Sequence, residues 1–219
     1  MIFVNYKTFE ESSGERALLL TKALEEAAHE SQVKIIPVVQ TLDAEKVVAS
    51  TTLEVWIQHV DPVSFGAHTG WTLPEEAARA GISGVFLNHS EHKFTDFEAL
   101  RVANEKALSA NLKTLIFAGD IEELKNVVKL TPTYVAYEPP ELVGSTTNSV
   151  ARSQPDIISQ ASEIARSGGE PLVVGAGVST MEDIKKSLEL GAVGVAIATS
   201  VVKADNPKAK LLELVEGLK

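Results

Sequence analysis

Three side chains of different chemistry each stand just past a short β-branched or apolar run. Lys7 follows Ile2-Phe3-Val4, His89 follows Gly84-Val85-Phe86-Leu87, and Glu138 follows Tyr134-Val135-Ala136-Tyr137. Each alone has a plain structural reading. Lys7 can be a solvated rim charge, His89 a capping residue at a helix start, and Glu138 the end of a strand before Pro139 and Pro140. Together they suit proton abstraction beside a carbonyl. A carboxylate in a drying pocket can take a proton from carbon. A histidine at a helix N-terminus is kept neutral by the dipole, so it can donate a hydrogen bond to the carbonyl oxygen.

A second group points to an anion. Gly175-Ala176-Gly177 leads through Val178-Ser179-Thr180 into a helical stretch. Glycine lets an anion come close to backbone N–H groups, and the first N–H groups of that helix are expected to face it. The same glycines also suit nothing more than a tight turn. The chain carries a net charge of −10, so a cationic Lys7 near this turn is expected to offset repulsion. The expected substrate is therefore small, anionic and phosphorylated. No metal or cofactor is expected: cysteine is absent, and His59 with Asp61 has no evident third partner.

These groups need elements to bring them together. Eight apolar runs recur: 2–4, 33–39, 55–57, 84–87, 114–117, 134–137, 172–174 and 193–198. Most are continuous rather than alternating, as suits strands buried on both faces. Helical spacing fills the intervals over 14–29, 95–110, 120–129, 155–167, 180–190 and 207–217, with shorter helices at 43–49 and 74–80. Ser12 and Ser13 are cap candidates for the first helix. Phe97, Leu100, Ala103, Ala107 and Leu108 are expected on the buried side of the fourth. Gly81 and Gly191 are expected to close helices in the left-handed conformation. The alternation predicts one α/β domain over 1–219, a closed (β/α)8 TIM barrel; an open doubly wound sheet is the alternative. In such a barrel the chemistry lies at the C-terminal ends of the strands.

Composition narrows the function. With 44% hydrophobic and 23% charged residues, the chain is not disordered. Its acidity and lack of a basic stripe argue against nucleic acid. No apolar run nears the ~20 residues that span a bilayer. The start of the chain has no cationic leader, so a cytoplasmic setting is expected.

The motifs resemble those of the triosephosphate isomerase family in its compact archaeal form, over essentially the whole chain. Asn5-Tyr6-Lys7 resembles the strand-one motif, Leu87-Asn88-His89-Ser90-Glu91 the strand-four histidine motif, and Ala136 to Gly144 the base and loop six. Gly175-Ala176-Gly177-Val178-Ser179 resembles the loop-seven phosphate turn. The resemblance implies interconversion of dihydroxyacetone phosphate and D-glyceraldehyde 3-phosphate through an enediol(ate), in glycolysis and gluconeogenesis. It implies Glu138 as base, His89 as electrophile and proton shuttle, Lys7 as charge stabiliser, Asn5 as a substrate contact and Glu91 as a supporting residue. It further implies phosphate contacts from Val143, Gly144, Gly177, Ala198 and Thr199, with loop 139–147 closing to exclude water. The family is itself a standard case of a carboxylate base paired with a neutral imidazole, so these roles are not a separate discovery.

Two departures stand out. Gly144-Ser145-Thr146 replaces the common Gly-Thr-Gly, and Ala198-Thr199-Ser200 lacks the glycine frequent after strand eight. The family's loop corresponding to 59–73 reaches a neighbouring subunit. With Trp71 on that loop, a homo-oligomer is expected, a tetramer or a dimer, although Trp71 could instead cover its own barrel. Two other readings stay open: a Schiff-base aldolase using Lys7, and a non-catalytic sugar-phosphate binder.

Overall fold

Continuous apolar runs close on one another when each finds a parallel partner on both edges. In the computed structural model β1 (Ile2–Asn5), β2 (Ile35–Val39), β3 (Trp56–Ile57), β4 (Gly84–Leu87), β5 (Lys113–Ala118), β6 (Tyr134–Tyr137), β7 (Leu172–Val174) and β8 (Gly194–Ile197) do so. Each pairs with its neighbours in sequence, and β8 returns to β1 with Phe3 opposite Ala196. The structure describes residues 1–142 and 149–219. The barrel is closed, as the alternation predicts, and the open doubly wound alternative falls.

Helices follow the strands, covering the outside except for α9 at the mouth: α1 (Glu15–Ser31), α2 (Ala44–Ser50), α3 (Pro74–Arg79), α4 (Phe97–Ser109), α5 (Ile121–Val127), α6 (Val150–Ser153), α7 (Pro155–Gly168), α8 (Met181–Glu189), α9 (Thr199–Val202) and α10 (Pro207–Val215). Alternation along each strand separates two cores. Phe3, Ile36, Val38, Trp56, Phe86, Leu115, Phe117, Ala136, Val173 and Ala196 fill the interior. Outward residues such as Ile2, Val4, Ile35, Val85, Ile116 and Val135 join the helix layer. Trp56 is fully buried and meets Phe3 edge-on at 5.0 Å between centroids. It fits because Gly84 has no Cβ; one would stand 2.3 Å from the indole.

The lower end of the barrel is closed by charge. Glu54 accepts from Trp56 Nε1 at 2.9 Å and Lys113 Nζ at 2.8 Å, and pairs with Lys34 Nζ at 2.7 Å. The buried indole N–H is thereby satisfied, and two cations share one carboxylate.

Several local expectations need correction. β2 begins at Ile35 rather than at 33, although Lys34 O still accepts from Ile2 N at 2.9 Å. Ser12 and Ser13 do not cap α1. Gly14 does, at φ 60, with its N–H shared by the Asp43 carboxylate at 3.2 Å. The two serines donate back to Tyr6 O and Phe9 O and fold the loop after β1. Phe97 is exposed, because the inward stripe of α4 starts a turn later with Leu100, Ala103, Asn104 and Ala107. Leu108 is half-buried. Helix α9 begins where only a turn was expected. Gly81 and Gly191 are left-handed, at φ 85 and 100.

Burial works against charge on Glu54, but Lys113, Lys34 and the indole outweigh it and hold the carboxyl down at about 2, below its ordinary 4.5. A folded value below the unfolded one contributes stability above the unfolded value, and that stability is lost as pH falls toward the folded value. Melting temperatures of wild type should therefore drop between about pH 4.5 and 2. Glu54→Leu should lack that component and be less stable at pH 7 by roughly 1–3 kcal/mol, from the orphaned indole N–H.

Candidate active site

Strand alternation decides what reaches the mouth. Phe3 points inward, so Asn5 and then Lys7 follow the same side; Ala136 points inward, so Glu138 does too. On β4 the same rule, counted from Phe86, would aim Asn88 at the centre. Instead Asn88 is left-handed, at φ 61. Its Nδ2 donates to Phe117 O at 3.0 Å and Glu123 Oε1 at 2.8 Å. The turn brings His89 into the mouth, against the edge of Phe117 at 4.9 Å.

There the three expected groups converge. His89 and Glu138 are 8% and 7% exposed, which places both below the solvent front. His89 Nε2 lies 3.0 Å from Glu138 Oε2. His89 Nδ1 accepts from the backbone N–H of Glu91 at 3.1 Å. An imidazole nitrogen that accepts carries no proton, so the ring is neutral and its proton sits on Nε2. The expected device, a helix N-terminus, is absent here: α4 does not start until Phe97. The Glu91 amide does the work instead. The Glu91 carboxylate accepts from Lys7 Nζ at 2.6 Å, so one residue orients two functional side chains.

Lys7 is itself left-handed, at φ 48. Asn5 Oδ1 accepts from Lys7 N at 3.0 Å, and Gln58 Nε2 donates to Lys7 O at 2.9 Å. Ser90 Oγ approaches Glu138 Oε2 at 3.4 Å. A cavity of ≈ 270 Å³ opens beside these groups. Asn5, Lys7, His89, Glu138, Gly177, Ala198 and Thr199 all line it. Val143 and Gly144, with Thr146 and most of loop 139–147, lie outside the described residues.

Two glycine expectations divide. Gly177 needs its conformational freedom, at φ 70. Gly175 serves the carboxylate rather than an anion: a Cβ there would stand 2.5 Å from Glu138 Oε1. The N-terminus of α8 is not open to a ligand either. Asp183 Oδ2 accepts from Ser179 N at 3.1 Å and Thr180 N at 3.0 Å, while Thr180 Oγ1 caps Asp183 N. Arg152 binds the same carboxylate at 2.7 Å. Gly177 and Thr199, by contrast, both line the cavity.

Asn88, Gln58, Ser90 and Glu123 were not singled out from sequence. Only Asn88 left a signal, as an Asn directly before the histidine, where a left-handed turn is tolerated. Glu123 also accepts from Gly119 N at 2.7 Å and Lys93 Nζ at 2.7 Å, tying the loops after β4 and β5. Among the described residues no three His, Cys, Asp or Glu gather as a metal would need. His59 stacks on His92 at 4.2 Å and meets Asp61 at 3.3 Å. Burial, then His92, pushes its imidazole below the usual histidine range, with Asp61 opposing.

Comparison with known proteins gives the family. The family model described as triosephosphate isomerase matches residues 1–218. The triosephosphate isomerase of Methanobrevibacter smithii is 37% identical, covering 100% of this chain and 98% of its own. That of Methanobacterium bryantii is 38% identical, covering 100% and 96%. That of Methanocaldococcus jannaschii is 35% identical, covering 99% of each.

Gly175→Ala tests the packing around the carboxylate. The added methyl meets the tip of a side chain that can swing away, so the melting temperature should change little. Turnover should fall by about 10²-fold, the cost of a displacement near 1 Å. Steady-state rates beside thermal melts check this.

Proposed function

The chain belongs to the triosephosphate isomerase family, and from that premise we propose how its barrel mouth performs the reaction. The protein is an isomerase that interconverts dihydroxyacetone phosphate and D-glyceraldehyde 3-phosphate, a step of glycolysis. In our reading Glu138 removes a proton from C1 of the ketone. The electron pair left on carbon moves to the carbonyl oxygen and gives an enediolate. His89 Nε2–H and the Lys7 ammonium meet that oxygen as its charge develops. His89 Nε2 gives its proton to that oxygen and takes the one on the C1 hydroxyl, and as the C1 carbonyl closes Glu138 returns its proton to C2 and yields the aldehyde. Asn5 holds the substrate, Glu91 is a positioning residue, and Gly177, Ala198 and Thr199 offer backbone N–H groups to the phosphate.

The observation that carries this reading is the 3.0 Å contact between His89 Nε2 and Glu138 Oε2, beside the cavity. The neutral imidazole and the carboxylate satisfy each other. A substrate carbonyl arriving at His89 takes over the hydrogen bond and leaves Glu138, with only the long Ser90 contact, to take the proton from carbon. The aldolase alternative is not favoured. A nucleophilic lysine sits desolvated or beside another cation, whereas Lys7 is ion-paired with Glu91 at 2.6 Å.

The same reading includes a single domain over 1–219, a cytoplasmic setting and a homo-oligomer, tetramer or dimer. Leu42, Phe65 and Trp71 are exposed by 92%, 59% and 53% on the loops after β2 and β3. Such rings and chains are costly to leave in water, which supports assembly through this rim. Nothing in the composition favours nucleic acid as a partner, and no helix among the described residues is long and apolar enough to cross a membrane.

Glu138→Gln should keep the fold and phosphate affinity and lose turnover by about 10²–10⁴-fold, read in a coupled assay with glyceraldehyde 3-phosphate. Near-wild-type turnover would refute the base assignment. Lys7→Ala should raise KM and lower kcat together; unchanged kinetics would leave Lys7 a rim charge. Trp71→Glu should shift sedimentation velocity toward smaller species, and an unaltered profile would remove this loop from the interface.

A further inference from the structure

We propose that Lys203 supplies the cation that receives the substrate's phosphate group, an inference that rests on the triose-phosphate reading of the cavity. A phosphate dianion enters a mouth on a chain of net charge −10. Lys7 balances it only in part, because its ammonium is shared with Glu91 at 2.6 Å. Glu138 then leaves the lining with an uncompensated negative charge. The remaining charged side chain in that lining is Lys203.

Lys203 follows α9, and its N–H donates to Thr199 O at 3.1 Å. A spacing of four residues sets it on the same face as Thr199, and both line the cavity with Ser200, Gly177 and Val178. The helix is anchored by the buried Val201 and Val202, so the lysine rises from a fixed base. Its side chain is exposed, and Nζ rests over the Phe9 ring at 4.3 Å from the centroid. Lys203 makes no ion pair among the described residues, and residues 143–148 contain no carboxylate. An exposed cation–π contact is weak beside a charge-assisted bond to phosphate. The Phe9 ring therefore parks the ammonium next to the anion's position without holding it there. This long arm also answers the glycine-free turn Ala198-Thr199-Ser200. Where a Cβ limits how near the backbone can come, a flexible ammonium still reaches.

The test compares wild type, Lys203→Met and Lys203→Arg on glyceraldehyde 3-phosphate and on unphosphorylated glyceraldehyde, with inorganic phosphate as competitor. The Met variant should lose about ten-fold or more in kcat/KM on the phosphorylated substrate, and phosphate inhibition should weaken to match. Arg should restore most of both, and rates on glyceraldehyde should not change. Unchanged kinetics on glyceraldehyde 3-phosphate would overturn the proposal. So would equal losses on both substrates, which mean damaged packing rather than a lost phosphate contact. A wild type inactive on glyceraldehyde 3-phosphate would remove the family reading itself, and the proposal with it.

Discussion

One imidazole, held between a backbone N–H and a carboxylate, sets the requirements for the rest of the mouth. His89 accepts from Glu91 N through Nδ1 and faces Glu138 through Nε2. That arrangement demands a neutral ring and fixes which nitrogen carries the proton. It also demands that two neighbouring loops be held still. The Asn88 turn, bonded to Phe117 O and Glu123, meets the demand from one side. The missing Cβ at Gly175 meets it from the other. The carboxylate and the imidazole are close because their neighbours make room, not because they are near in sequence.

The electrostatics follow from the same economy. Glu91 orients His89 with its backbone and Lys7 with its side chain. A single residue thus couples His89 to Lys7, so their positions are not independent. Lys7 is held at the cavity beside His89 and Glu138 by its pair with Glu91. The chain is acidic in total, yet two of its lysines, Lys7 and Lys203, stand in the cavity lining.

Stability and chemistry occupy opposite ends of the barrel. At the lower end Trp56, Phe3, Phe86 and Tyr134 pack edge to face, and Glu54 satisfies the indole. At the upper end the backbone is left-handed at Lys7, Asn88, Ala176 and Gly177. Left-handed backbone at non-glycine residues carries a cost. The dense aromatic layer below offsets it, and Phe86 joins that layer to the cavity lining.

Much of this was legible in the chain. The eight apolar runs specified the strands and their parallel pairing, because continuous burial leaves few other solutions. Lys7, His89 and Glu138 were visible as functional side chains at strand ends. The turn glycines were visible too, but not their purposes. Which N–H groups face an anion depended on Asp183, four residues beyond Ser179, which closes the α8 terminus with its own carboxylate. The neutrality of His89 came from an amide two residues away rather than from a helix, a difference of turn geometry that spacing does not encode. Gln58, Glu123 and Lys203 reach their partners from distant strands and helices, so their placement exists only once the barrel closes. Local pattern determined the elements and the reactive groups; closure decided the distances between them, because hydrogen bonds and charges act through space and not along the chain.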